Sequence, residues 1–294
     1  MFCGSMVAVV TPMADDGSID AVAWQRLLEW HVAEGTDAIV VGGTTGESPT
    51  LTAGEFAELA ERALTIVKGR IPVIVGTGTN STASTIERTH RLSRLGVAGV
   101  LIVTPYYNRP PQEGLYRHFM AAADTSEVPV ILYNVPGRTA VDLLPATIAR
   151  LAAHPRIVAV KEAGGQLGRV RELLECCPPG FTVLAGEDAI AREAMLAGAR
   201  GVISVTANVA PRSMHELSVA ATRGDAARAE SIDATLADLH ERLFLEANPI
   251  PVKWALAEMG MIGRGLRLPL TPLAGEHHEP LRAALRRAGV LNQR

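Results

Sequence analysis

The chain has 294 residues, of which 48% are hydrophobic, 20% charged and 4% aromatic, and its formal net charge is −3. That apolar content is enough for a sizeable core and excludes disorder as the main state, while 28 basic against 31 acidic residues, without a block of like charge, argue against an electrostatic nucleic-acid partner. No apolar run approaches the ~18 residues that suggest a membrane span, residues 1–5 lack the basic start of a secretory leader, and three cysteines in no spaced framework (Cys3, Cys176 and Cys177) read as reduced thiols of a cytoplasmic protein.

In chain order, short apolar runs alternate with longer amphipathic stretches. Strands are predicted at residues 6–10, 38–41, 73–76, 99–103, 130–134, 157–161, 182–185 and 201–204. Each run is apolar on successive positions, the pattern of strands buried on both faces in a parallel sheet. Between them a helix is predicted at 20–34. The next opens on the capping box Thr52-Ala53-Gly54-Glu55, with Phe56, Leu59, Ala60 and Ala63 recurring at helical spacing. A third runs from Ser81 or Thr82 to a glycine stop at Gly96, and others fit 111–125, 144–152, 168–175, 188–196 and 211–223. Eight strand–helix pairs predict a (β/α)8 TIM barrel over residues 1–223. Residues 224–294 read as a helical appendage of the same domain, with helices at 225–246, 249–259 and 279–288. A doubly wound open sheet competes, but no Gly-x-Gly-x-x-Gly turn follows the first strand. Gly76-Thr77-Gly78-Thr79 is neither that fingerprint nor a P-loop.

In such a barrel, chemistry sits where strands end. Strand six ends in Lys161-Glu162, and a lysine that continues an apolar run is unusual, because lysine is seldom buried without a partner. Two readings stand. Lys161 is a solvated residue just past the strand, paired with Glu162 or Glu187; or it is a desolvated amine, freed to add to a ketone or aldehyde as a Schiff base. Three of the four tyrosines, Tyr106, Tyr107 and Tyr133, sit at neighbouring strand ends. Each suits packing with a wet hydroxyl, yet a hydroxyl chain of Tyr133, Thr44 and Tyr107 suits the proton transfers of imine chemistry. None of the eight histidines lies at a strand end, so a metal-dependent aldolase is disfavoured, and no Gly-x-Ser-x-Gly elbow is present. The loop Gly42-Gly43-Thr44-Thr45-Gly46-Glu47-Ser48 is a flexible turn or a nest for a carboxylate. Arg138 is a surface charge or a bidentate carboxylate partner.

Four segments in this order, Gly43-Thr44-Thr45-Gly46-Glu47-Ser48, Thr104-Pro105-Tyr106-Tyr107-Asn108, Tyr133-Asn134-Val135-Pro136-x-Arg138-Thr139 and Val160-Lys161-Glu162, resemble the dihydrodipicolinate synthase family, as does Asn248-Pro249-Ile250-Pro251-Val252-Lys253 in the tail. The resemblance covers essentially the whole chain. It implies that Lys161 forms the Schiff base with pyruvate. Thr44, Tyr107 and Tyr133 would relay protons, Tyr107 reaching in from a neighbouring subunit. Thr45 and its loop would hold the pyruvate carboxylate, Arg138 the carboxylate of L-aspartate-4-semialdehyde, and Gly186 and Ile203 would line the pocket. The implied product is a cyclic 4-hydroxy-tetrahydrodipicolinate on the way to diaminopimelate and lysine. The implied assembly is a homotetramer of two tight dimers, with no metal or cofactor. Gly137, where many members carry Ser or Ala, is a departure expected to loosen the placement of Arg138.

N-acetylneuraminate lyase and the keto-deoxy sugar-acid aldolases would share Lys161 and Tyr133. The Thr44-Thr45 pair, the 106–108 turn and Arg138-Thr139 favour the semialdehyde acceptor over their sugars. A non-catalytic binding protein on the same barrel is disfavoured by the intact set of Lys161, Tyr133, Thr44 and Tyr107. Lysine-sensitive members bind the end product in a polar pocket at the tight-dimer interface. This chain keeps Ser48, Asn80 and Tyr106 of that pocket, but has Ala53, Phe56 and Ser84 where sensitive members carry His, His and Glu. Ala53 and Phe56 equally suit packing of the second helix. Lysine is therefore expected to inhibit weakly or not at all.

Overall fold

The computed structural model describes residues 2–291. Met1 of the N-terminal stretch and residues 292–294 of the tail lie outside the described residues. Eight strands, β1 (Gly4–Ala8), β2 (Ala38–Val41), β3 (Val73–Gly76), β4 (Gly99–Val103), β5 (Val130–Asn134), β6 (Ile157–Glu162), β7 (Thr182–Ala185) and β8 (Gly201–Ser204), pair in parallel and close into a barrel in sequence order. The open-sheet alternative is thereby excluded. Successive strand residues point to opposite sides. Met6, Val40, Ile74, Leu101, Ile131, Ala159 and Leu184 fill the barrel interior, while Val7, Ile39, Val75, Ile102, Leu132 and Val160 pack outward under the helices. This double burial is why the runs are apolar at every position.

The helices are α1 (Ala21–Ala33), α2 (Ala53–Val67), α3 (Thr82–Leu92), α4 (Gln112–Asp124), α5 (Pro136–Thr139), α6 (Pro145–Leu151), α7 (Leu167–Cys176), α8 (Ala191–Leu196), α9 (Pro211–Thr222), α10 (Ala226–Arg242), α11 (Ile250–Glu258) and α12 (His278–Arg287). Their starts follow the expected chemistry. Asp20 caps α1, the Thr52–Glu55 box caps α2, and Ser81 caps α3. Gly96 ends the α3 segment with φ +89°. In the tail, α10 packs on α8 and α9, and α12 on α10. Leu236, Leu239, Leu256 and Leu285 join the same apolar cluster as the barrel's outer face.

The structure departs from the sequence reading in four places. The first strand is Gly4–Ala8 rather than 6–10. Val9 and Val10 are buried beyond it; the Val9 N–H makes the last bond to β2, on the Val40 carbonyl at 3.2 Å, but the Val10 N–H bonds the Asn208 side chain at 3.0 Å, so at Val10 the apolar run marks burial rather than ladder. The segment 188–196 opens as a 3₁₀ turn (Asp188–Ile190), because the Asp188 carboxylate turns inward to accept the N–H groups of Val205 and Thr206, each at 2.9 Å. The predicted 225–246 helix ends at Arg242, and the turns after it carry Phe244 and Asn248 to the barrel mouth. A short helix, α5, carries Arg138 and had no signal at this length.

Candidate active site

Lys161 is the penultimate residue of β6. It shares the inward side with Ala159, two residues earlier, and is only 5% exposed. The solvated reading is therefore wrong. Of the chain's three lysines (Lys68, Lys161, Lys253), Lys68 is exposed and Lys253 is ion-paired. Lys161 alone is buried, unpaired among the described residues and open to a cavity. Neighbouring Glu162 points to the opposite side. It accepts from Asn134 Nδ2 at 3.0 Å and from the Gly164 N–H at 2.7 Å. Burial pushes its carboxyl up, against those hydrogen bonds.

Tyr133 sits on β5 directly in register with Lys161, and its ring lies 4.3 Å from the ammonium. Thr44 and Tyr133 share the cavity wall with Lys161. Beyond them the space widens into a mouth of about 320 Å³ bounded by Ser48, Arg88, Tyr106, Arg138 and Thr139, within the range of small-molecule sites. Gly186 comes so close to β6 that a Cβ there would stand 2.6 Å from Ala163 Cβ, so only glycine lets the chain pass at this wall.

The 44–48 loop is built as a tight structure rather than a flexible turn. Thr44–Gly46 form one 3₁₀ turn, whose first N–H groups have no acceptor within it and so stay free for a carboxylate. Thr45 is buried, and its hydroxyl accepts from Asn248 Nδ2 at 3.0 Å. The Gly46 carbonyl accepts from the Thr11 hydroxyl at 2.7 Å. Glu47, in the left-handed region at φ 56°, drops its carboxylate into the protein. There Oε1 meets Lys253 Nζ at 2.5 Å and Oε2 accepts the Arg267 N–H at 3.2 Å. Burial pushes the Lys253 ammonium down, and the Glu47 charge pulls it back up.

Of the other predicted residues, Arg138 and Gly186 line the inner cavity. Ile203 is buried in the barrel interior with Met6, Ala8 and Tyr133, and Val205, two residues on, lines the cavity. Tyr107 is not in this chain's own site. It is 88% exposed with φ +75°. Gly137 sits in α5 without positive φ and with nothing within 4 Å of a Cβ. The turn is closed by the Arg138 and Thr139 N–H groups on the Val135 carbonyl at 2.9 and 3.1 Å, so glycine there does not loosen Arg138. Ala53, Phe56 and Ser84 line one groove between α2 and α3 with Arg88 and Arg91. Phe56 packs on Gly42 so tightly that a Cβ there would stand 2.0 Å from its ring. Ser48 and Tyr106 lie at the mouth instead, and the Asn80 carbonyl accepts from Asn108 at 2.8 Å. Asn248, Phe244 and Glu187 line the inner cavity and were missed as site residues. Asn248 carried a signal as the first residue of the Asn-Pro-Ile-Pro-Val-Lys run, and Glu187 only as a pairing partner for Lys161.

Among the described residues, no group of three or more His, Cys, Asp or Glu is placed to hold a metal ion, and no helix is long and apolar enough to cross a membrane. The sequence matches the dihydrodipicolinate synthetase family model over residues 1–288. It is 55% identical over 291 residues to the 4-hydroxy-tetrahydrodipicolinate synthase of Alkalilimnicola ehrlichii, covering 99% of this chain and all of that one. The enzyme of the same name from Methylococcus capsulatus is equally similar, at 55% over 291 residues and with the same coverage. Among solved structures, the chloride-inhibited dihydrodipicolinate synthase of Acinetobacter baumannii complexed with pyruvate superposes with a TM-score of 0.98 at 49% identity, covering 99% of this chain and all of that one.

Proposed function

Since the chain belongs to the dihydrodipicolinate synthetase family, we propose that it is a 4-hydroxy-tetrahydrodipicolinate synthase, joining pyruvate to L-aspartate-4-semialdehyde. The observation that carries this reading is Lys161: a buried, unpaired amine at a barrel strand's C-terminal end, in register with Tyr133. Lys161 Nζ adds to the pyruvate ketone and expels water to give an iminium. Loss of a methyl proton gives the enamine, which attacks the aldehyde carbon. The acceptor's own amine then displaces Lys161 Nζ, closing the ring and freeing the enzyme. Each step moves a proton; Tyr133, whose ring lies 4.3 Å from the amine, and Thr44, in the same cavity wall, are the groups assigned to carry it. The direct test is turnover of pyruvate with L-aspartate-4-semialdehyde, set against cleavage of N-acetylneuraminate. Activity on the sugar acid alone would refute the reading.

Arg138 is assigned to the acceptor's carboxylate. A charge-assisted pair is worth about 1.5–3 kcal/mol, so Arg138→Ala is expected to cut kcat/KM for the semialdehyde roughly tenfold to a hundredfold. The pyruvyl adduct should form as before. An equal loss in adduct formation would contradict the assignment.

Tyr107 is 88% exposed and does not line its own cavity, which leaves it available to a neighbouring protomer's relay in a homotetramer. A folded, monomeric interface variant should lose turnover. Full activity from a monomer, verified by sedimentation, would remove Tyr107 from the mechanism.

The groove that would take lysine offers Phe56 and, near Ser84, one carboxylate, Glu87, against two arginines, Arg88 and Arg91, a lining with no net negative charge for an ammonium. Losing one charged acceptor weakens binding by about 1–3 kcal/mol. Initial rates at saturating substrates should therefore hold under millimolar L-lysine. Half-inhibition below that would show the pocket rebuilt from other residues.

A further inference from the structure

Glu187 follows Gly186 at the end of β7 and lines the same inner cavity as Lys161, Arg138 and Asn248. It makes no hydrogen bond or ion pair with any described residue. Its neighbour Asp188, by contrast, turns inward, and its Oδ2 accepts the backbone N–H groups of Val205 and Thr206. Burial, and then Asp188, push the Glu187 carboxyl up, against the pull of the Lys161 and Arg138 charges, so it lies within electrostatic reach of both. Asn248 shares the wall of the same cavity. Asn248 is only 6% exposed and its Nδ2 is committed to Thr45, while its Oδ1 is buried without a partner. A half-buried carboxylate without a partner is costly unless a donor meets it, and a cationic donor matches its charge.

Pyruvate has none to give. The acceptor does: L-aspartate-4-semialdehyde carries an α-ammonium on the same carbon as the carboxylate assigned to Arg138. We propose that Glu187 receives this α-ammonium. Arg138 and Glu187 then read the two charges of one amino-acid head group, and the pair selects an amino-acid aldehyde over the uncharged hydroxyls of a sugar acid. The proposal rests on the functional reading above and adds a specificity-determining residue to it. The competing role for Glu187 is as a counter-charge to the Lys161 iminium, which would act on pyruvate instead.

Succinic semialdehyde separates the two, because it keeps the aldehyde and carboxylate and has hydrogen where the ammonium stands. With pyruvate saturating, the KM for L-aspartate-4-semialdehyde and the Ki of succinic semialdehyde as its competitor are measured in the wild type, Glu187→Gln and Glu187→Asp. In the wild type the Ki should exceed the KM roughly tenfold to a hundredfold, the size of one charge-assisted contact. Glu187→Gln should raise the KM toward the Ki, leave the Ki in place and leave borohydride-trapped pyruvyl adduct formation unchanged. Glu187→Asp, which keeps the charge on a shorter stem, should fall between. If the KM and Ki rise together, if neither moves, or if adduct formation falls as much as turnover, the proposal is overturned. A wild-type chain that turns over no semialdehyde overturns the functional reading and this proposal together. Turnover with discrimination unchanged in Glu187→Gln overturns this proposal alone.

Discussion

Lys161→Ala is expected to lower turnover by ~10³-fold or more, the scale on which covalent nucleophiles are missed, and to abolish the pyruvyl adduct trapped by borohydride. The expectation follows from how few amines compete. Lys68 is an exposed residue after α2, and the ammonium of Lys253 is held by Glu47. No other lysine occurs in the chain. The fold should survive, because Lys161 makes no ion pair among the described residues, and Glu187, which feels its charge across the cavity, keeps Arg138 nearby. Mass spectrometry of the reduced protein reads the result at once. An adduct that persists in Lys161→Ala, on Lys68 or Lys253, would transfer the chemistry elsewhere.

The lysine was legible because it breaks a pattern that is otherwise strict. Residues 157–160 are Ile-Val-Ala-Val, and a charge at 161 stands out against them. Its direction was legible in part, since the two-residue period puts Lys161 on the side of Ala159, and a closed barrel makes that side the interior. Register with Tyr133 was not legible, because it depends on how two strands slide against each other. The strand ends were blurred for a related reason. An apolar run reports burial, and Val10 remains buried after the last ladder bond, from the Val9 N–H to the Val40 carbonyl. Glu187 and Phe244 escaped because nothing local sets them apart. One reads as an acidic residue after a strand, the other as one apolar position among several near the end of a helix, and only the closed mouth brings them together. Arg138 gives the opposite lesson: its motif was plain, while the four-residue helix that aims it lies below the length at which periodicity speaks.

The Glu47–Lys253 pair spans 206 positions, and it carries the second large effect. The Lys253 and Glu47 side chains are 2% and 0% exposed. Removing one partner leaves a buried charge without compensation, at a cost of about 3–5 kcal/mol, a large share of the ~5–15 kcal/mol that holds a typical domain folded. Lys253→Met should therefore shift the urea midpoint sharply downward. Two features say the damage will reach the site. Glu47 is held in a left-handed conformation that costs on the order of 1–3 kcal/mol unless its surroundings enforce it. The same residue also closes the turn bearing Thr44 and Thr45. With its anchor gone, the loop can relax, and pyruvate should bind more weakly even at temperatures where the variant stays folded. A Glu47→Gln/Lys253→Met double variant removes both charges and should recover much of the stability, because the penalty of the single change is mostly the stranded carboxylate. Pyruvate affinity should recover less, since the neutral pair no longer draws the loop down. A loss below about 1 kcal/mol in Lys253→Met, the range of surface ion pairs, would mean that water reaches the pair and that the tail does not hold the loop through it.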